Sequence, residues 1–543
     1  MPSAANGSVP CCLLPRDLLW IFVTVLGLVT VLSAVAGFAV RVSRARDLLH
    51  HVLARLVATE AETRLLHFLS QHSCIKTYTM IAAKLLVLAT AAHALQAPKV
   101  ARPRANALHA STDLESLRFL SNDDARQVAK DYGTPTYVYD AATLRARAEE
   151  ALAFPNAYGL TVRYAMKACP NGAVLKLFDS MGLNFDASSA HEVRRAMRAG
   201  VPASKCSLST QQLDADAITL MRDEGLEINC CSLSQLDTIG TALPGTKVGM
   251  RFNPGLGSGG TAKTNVGGAS SSFGIWHEQF DEVVALAKKH DLEVVRVHTH
   301  IGSGSDAEVW KRVSSMSLDL CERLGDSVKT LNLGGGYKVG RMAYETSTDL
   351  QEVGAPVTDN FKDYAKRTGV ELKLEVEPGT FLVANAGALV STVQDACTTS
   401  GKDAGNDFLK LDAGMTDVLR PSLYGSQHPL VVVPSDAAKD ADAATAEYVV
   451  VGHCCESGDL LTPAPDEPET LAPRLLKKAE RGDLLIVESV GAYCSAMSTA
   501  GYNSFPTAPE VMKSTKGAFV EIRKRSSLDQ LLQNEVSVDA AAL

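Results

Sequence analysis

From about residue 160 onward the chain repeats one unit: a short apolar stretch, a polar or glycine-rich turn, then a helical stretch. Strands are expected to begin near Thr161, Asn184, Lys205, Leu226, Lys247, Glu293, Thr330 and Glu371. Helical patterns lie between them, at His191 to Ala199, Ala215 to Glu224, Glu278 to Lys289 and Glu308 to Leu324. Strands that alternate with helices fold into a parallel sheet, because each crossover must return the chain to the same edge. Eight such units over about 230 residues match a closed (β/α)8 TIM-type barrel. An open doubly wound sheet would have fewer strands and an early nucleotide fingerprint. Gly255-Leu256-Gly257-Ser258-Gly259-Gly260 comes late, leads into no clear helix and reads as a loop.

The pattern then changes. Ala388 to Val393, Phe408 to Asp412, Leu430 to Val433, Glu447 to Val451, Asp483 to Ser489 and Ala518 to Ile522 read as strands of a mostly antiparallel β domain. Thr134 to Tyr139, upstream of the barrel, is a strand that would join it, and Asp436 to Glu447 reads as an exposed loop. The expected division is a leader at 1–112, a segment at 113–140 that contributes to the β domain, a barrel at 141–387 and a C-terminal β domain at 388–543.

The leader is unlike the rest. Leu18 to Val40 is an uncharged apolar run, long enough to span a bilayer, with Arg41, Arg44 and Arg46 after it. Met80 to Ala97 has a basic Lys84, an apolar core and Ala92-His93-Ala94, the plan of a signal peptide. Leu95 to Thr112 carries Lys99, Arg102 and Arg104 with no acidic residue, like a transit peptide. A signal plus a transit peptide resembles the leader of proteins imported into complex plastids, with Met80 as the start. The competing expectation is a membrane anchor through 18–40.

Of the 543 residues, 46% are hydrophobic and 21% charged, with a net charge of −8. That balance gives two domains with real cores. With no basic cluster in the globular part, it argues against a nucleic-acid partner. The twelve cysteines are scattered and none has zinc-ligand CxxC spacing. They read as small hydrophobes in a reducing compartment.

Barrels collect their reactive groups at the C-terminal ends of the strands. Lys167 ends the first expected strand, before the turn Pro170-Asn171-Gly172. It is either a surface lysine or, if desolvated, an amine able to form a Schiff base. Asp186 follows strand two. His298 and His300 lie two apart on strand six, before Gly302-Ser303-Gly304. Gly334-Gly335-Gly336 ends strand seven, and Glu377-Pro378-Gly379 ends strand eight. The glycines suit either a tight turn or a phosphate cradle. The two histidines suit ring stacking or hydrogen bonding better than a metal, since no third ligand is evident by spacing.

Taken in order, these motifs resemble those of the alanine-racemase-fold pyridoxal-phosphate-dependent decarboxylases. The set is Tyr164-Ala165-Met166-Lys167, Phe185-Asp186-Ala187-Ser188-Ser189, His298-Thr299-His300-Ile301-Gly302-Ser303, the three glycines, Glu377-Pro378-Gly379, Cys455-Glu456-Ser457-Gly458-Asp459 and Gly491-Ala492-Tyr493. Arg420-Pro421-Ser422-Leu423-Tyr424-Gly425 and Tyr502-Asn503-Ser504 make the chain most similar to the diaminopimelate decarboxylases, over roughly residues 115 to 525.

The resemblance implies decarboxylation of meso-2,6-diaminopimelate to L-lysine. Other substrates of the wider group are ornithine, arginine and carboxylated polyamines such as carboxynorspermidine. Arg420 speaks against ornithine, which has no distal carboxylate. A silent cofactor-binding homologue would be marked by loss of the lysine or cysteine, and both are present. By the same resemblance Lys167 holds pyridoxal phosphate and Glu377 pairs with its ring nitrogen. A carboxylate there keeps the nitrogen protonated and favours decarboxylation over racemisation. His300 stacks on the ring, and Asp186, Pro378, Gly379 and Thr380 line the cofactor site. Gly334, Gly335, Gly336, Ser303 and Tyr493 take the phosphate. Arg420 and Tyr424 hold the distal carboxylate, and Glu456 the distal ammonium. Cys455 comes from the partner subunit of a homodimer and reprotonates the α-carbon. Glu456 and Asp459 beside it are expected to sit in a buried turn. One position departs: the motif usually continues Glu-Pro-Gly-Arg, and here Thr380 follows Gly379. Arg341, after strand seven, is a candidate replacement cation.

Overall fold

The computed structural model describes residues 114–256, 267–300, 304–399 and 405–543. The leader segments at 18–40 and 80–112, Gly257 to Gly260 and Ser303 lie outside the described residues.

Strand β1 (Thr136–Asp140) precedes eight barrel strands. These are β2 (Leu160–Ala165), β3 (Asn184–Ala187), β4 (Cys206–Leu208), β5 (Glu227–Cys230), β6 (Lys247–Asn253), β7 (Glu293–Thr299), β8 (Thr330–Asn332) and β9 (Lys373–Val376). Each pairs in parallel with the next, and β9 pairs with β2, so the sheet closes. Every expected strand falls within a few residues of its place. The helices left unplaced by pattern alone are Gly172–Ser180, Leu233–Ala242 and Leu350–Thr368. Polar caps fix where the helices begin. Asn171, Ser189, Asp214 and Ser232 each accept an N–H of the first helical turn on the side chain.

Below the mouth the barrel interior is charged. Arg163 donates to Glu375 from Nε at 3.0 Å and from Nη2 at 2.9 Å, and also reaches Glu227. Arg296 bridges the same two carboxylates. Buried charges persist only when paired, and here each side chain has more than one partner.

The second sheet contains β1 together with β10 (Gly387–Thr398), β11 (Asp407–Leu411), β12 (Leu430–Val433), β13 (Thr445–Val451), β14 (Arg474–Lys477), β15 (Leu484–Glu488), β16 (Glu510–Lys513) and β17 (Phe519–Arg523). It is antiparallel apart from two parallel pairs, β1 with β16 and β11 with β13. The helix Asn122–Tyr132 lays Ala125 and Val128 on a core of Val138, Val390, Ile486 and Val511. Among the described residues, no helix is long and apolar enough to cross a membrane.

Candidate active site

The register of the barrel builds a polar layer at its mouth. Arg251 pairs with His298, His298 with Asn332, and Asn332 with Glu375. Neighbouring parallel strands therefore bring side chains together that lie far apart in sequence. Above this layer opens a cavity of about 800 Å³, within the usual range for small-molecule sites. It is lined by Lys167, Asp186, His300, Gly336, Glu377, Gly379 and Thr380 from the barrel. Arg420, Tyr424 and Tyr493 of the β domain line it as well.

Lys167 sits in a short 3-10 turn just past β2, one step beyond the expected strand end. Its Nζ lies 3.4 Å from Oδ2 of Asp186, and the 43% of its side chain that is open lines the cavity. Burial pulls the Lys167 pKa down, but the Asp186 carboxylate, with Tyr493 and Glu377, outweighs it and raises the pKa. The amine is thus held as an ammonium rather than neutralised by desolvation.

Asp186 and Glu377 are two buried carboxylates that line the same cavity. Burial and then Glu377 push the Asp186 carboxyl up to about 7, against the pull of Lys167. Burial also works against the Glu377 charge, yet His298, His300 and Lys167 carry its pKa below the usual carboxylate range. Two like charges in one dry site titrate apart, so Glu377 keeps its charge and Asp186 takes the proton near neutrality. Asn332 supports this by donating to Glu377 Oε1 at 2.7 Å.

The histidines are both shifted down by burial and are neutral at pH 7. Glu377 is the third group that spacing did not reveal: one atom each from His298, His300 and Glu377 lie within 4.8 Å of one another. His298 turns Nε2 to Glu377 Oε2 at 3.3 Å. His300 Nδ1 accepts the Gly335 N–H at 3.0 Å, which fixes the tautomer and the ring. His298 Nδ1 lies 3.2 Å from Ser209 Oγ.

The glycine run is only partly as expected. Gly334 spends its N–H on Asn332 Oδ1 and Gly335 on His300, and of the three only Gly336 lines the cavity. Gly334 and Gly336 have left-handed φ of 71° and 107°. A Cβ at Gly334 would strike His300, and one at Gly335 would strike the Glu377 carbonyl. Pro378 stays out of the cavity and accepts the Ala165 N–H at 3.2 Å. Tyr493 is held at φ 57° by an N–H bond of 2.9 Å to Ala168 O, one residue from Lys167. A non-glycine residue there is uncommon and marks an over-determined position.

Cys455 and Glu456 do not line the cavity. Both are exposed, contrary to the expected buried turn; only Asp459 is buried. Its two oxygens accept the N–H groups of Met415 at 2.6 Å and Cys454 at 2.8 Å, so it shapes the turn that presents Cys455. Arg251 and Asn332 have no motif of their own, and only the fold reveals their parts; Asp459 ends the Cys-Glu-Ser-Gly-Asp motif, and the fold shows that it shapes the turn.

The region 143–384 matches the family model described as pyridoxal-dependent decarboxylase, pyridoxal binding domain. The chain is 35% identical to the diaminopimelate decarboxylase of Streptomyces coelicolor, across 75% of this chain and 90% of that one. A crystal structure of diaminopimelate decarboxylase superposes with a TM-score of 0.72 at 32% identity, covering 78% of this chain and 98% of that one. The Helicobacter pylori enzyme complexed with L-lysine gives 0.65 at 27% identity, covering 75% and 98%. The chain belongs to the diaminopimelate decarboxylase family. The family's cofactor, pyridoxal phosphate, fits the residues present. An open lysine amine, a buried carboxylate, an imidazole fixed by Gly335 and the left-handed Gly336 all meet at one cavity.

Proposed function

We propose that this protein decarboxylates meso-2,6-diaminopimelate to L-lysine and carbon dioxide, the last step of lysine synthesis, using pyridoxal phosphate. The observation that carries this reading is one cavity lined by a lysine amine, two buried carboxylates of opposite pKa shift, and the guanidinium of Arg420. When bound, the cofactor supplies the sink for the electron pair released with carbon dioxide.

Lys167 must shed a proton before its amine can hold the cofactor. Asp186 Oδ2, at 3.4 Å, is the group beside that amine and in its ionised form can accept the proton. Glu377, whose pKa is held low, would keep a proton on the ring nitrogen of the cofactor. His300, uncharged and fixed by Gly335, offers a flat face to the ring. Gly336 and the Tyr493 hydroxyl receive the phosphate. Arg420 donates to the distal carboxylate, with Tyr424 beneath its guanidinium at 5.6 Å.

Cys455 delivers a proton to the α-carbon, and Glu456 holds the distal ammonium. Their exposure outside the cavity supports a homodimer in which both reach the partner's cavity. Residence in a plastid is proposed from the leader; sequencing the mature N-terminus tests it, and an intact Met1 rejects it.

The experiment for substrate is carbon dioxide release from meso-diaminopimelate, ornithine, arginine and lysine. Diaminopimelate is expected to lead in kcat/KM by on the order of 10³-fold, because a site built for a carboxylate rejects substrates that lack it. Equal turnover of ornithine rejects the reading.

A further inference from the structure

The loop after Gly336 carries a partly buried cation that the reading above leaves unused. Arg341 lines the same cavity as Lys167, Arg420 and Tyr424. Its Nε and Nη2 are shielded from solvent and have no hydrogen-bond partner among the described residues. The loop is held by other atoms. The Arg341 N–H donates to Glu345 Oε2 at 2.7 Å, its carbonyl accepts from Arg118, and Asn385 Nδ2 donates to the Gly340 carbonyl at 3.1 Å. Glu345 spends that oxygen on main-chain amides. The loop is therefore fixed through its main chain, and the guanidinium has no ion pair among the described residues.

Arg420 is in a similar state. Its Nε is buried without a partner, and Nη2 has only the Ser426 hydroxyl, at 3.3 Å. Burial and then Arg420 pull the Arg341 pKa down to about 9, as expected of two cations facing one space. Leaving a buried guanidinium unpaired is costly, and a carboxylate matches its fork of donors. Thr380, where the family resemblance expects arginine, lines this cavity and brings no charge.

We propose that Arg341 is the second cation of the distal-carboxylate pocket, acting with Arg420 to select substrates that carry a carboxylate remote from the bond that breaks. This rests on the reading of Arg420 above and extends it to a residue outside the motifs.

The test uses two ligands of the cofactor-loaded enzyme that differ by that one group. L-lysine keeps the distal carboxylate and cadaverine lacks it. By calorimetry the wild type is expected to favour L-lysine. Arg341→Met should weaken L-lysine by about 10- to 100-fold, the worth of one charge-assisted bond, and leave cadaverine unchanged. Arg341→Lys, which keeps charge but not the fork, should fall between. An unchanged lysine-to-cadaverine ratio overturns the inference, as does an equal loss for both ligands. A fall in pyridoxal phosphate affinity with lysine binding intact would also overturn it, placing Arg341 at the cofactor's phosphate. A wild type indifferent to the carboxylate is a separate result, and it sinks the Arg420 reading itself.

Discussion

The barrel mouth and the Cys454–Asp459 turn, to which the proposed function gives the two halves of one chemistry, are built in opposite ways. At the mouth, Asp186, His298, Asn332 and Glu377 come from different strands and are almost fully buried. They perturb one another enough to set their protonation. The turn belongs to the β domain and leaves Cys455 and Glu456 in solvent, with only Asp459 buried to shape them. A group that must hold a defined charge is placed in a dry cluster, where neighbours act strongly. A group that must reach across to another surface stays exposed until that surface arrives. The mouth is assembled within one chain, and in the proposed homodimer the turn would complete the cavity of the partner.

The largest effect should come from breaking the buried half. Lys167→Ala is expected to remove turnover by about 10³-fold or more, together with the visible absorbance of the lysine-bound cofactor. Measurable carbon dioxide release at near wild-type rate in that variant would mean that the mouth is not the reactive half.

Cys455→Ala should act on the other half alone. Decarboxylation is expected to fall by about 10²-fold while the cofactor absorbance stays, since a missing general acid slows a step without emptying the site. Mixing the two inactive variants sharpens the comparison. If each cavity takes its cysteine from the partner, reassorted dimers regain about a quarter of wild-type activity, because half the dimers carry one intact site. No recovery on mixing would put both halves in the same chain.

How far these two halves could be read from sequence depends on how local each signal is. The eight strands were legible because short apolar runs between turns are a property of neighbouring residues. Lys167, Asp186 and Glu377 were legible because they end such strands. Arg251 and Asn332 were not, since their place follows from register with His298, 47 and 34 residues away in the chain. The three glycines look equivalent in sequence, yet two of their amides are spent on Asn332 and His300. The turn at Glu456 was expected to be buried from its charges, but charge density alone cannot tell a buried ion cluster from an exposed one.

A milder test of the turn is Asp459→Ala. It frees the N–H groups of Met415 and Cys454, at a cost of about 1–3 kcal/mol each where they stay buried. Activity should fall with the Cys455 presentation, and cofactor absorbance should hold. Loss of the cofactor in this variant would show that the turn also supports the mouth, against the division drawn here.

The smallest effect concerns the charge balance of the mouth. The Asp186 carboxyl stands at about 7 in the fold, against an ordinary value of 3.8 in an open chain. Between these values the folded protein keeps a proton that the unfolded chain has lost. Its contribution to stability is therefore full below about 4 and is lost as pH rises through 7. Glu377 is shifted the other way, so its contribution fades only under acid, below the window of interest. Asp417, raised to about 6, and Glu488, raised to about 7, act in the same direction as Asp186, so the informative quantity is the difference between variant and wild type. Asp186→Asn should flatten the fall of Tm between pH 5 and 8 and leave the variant a few degrees more stable at pH 8. Parallel Tm curves for the two proteins would mean that Asp186 is already ionised at pH 5. Lys167 would then sit beside a standing carboxylate across the whole range, and its ammonium would be paired at every pH tested.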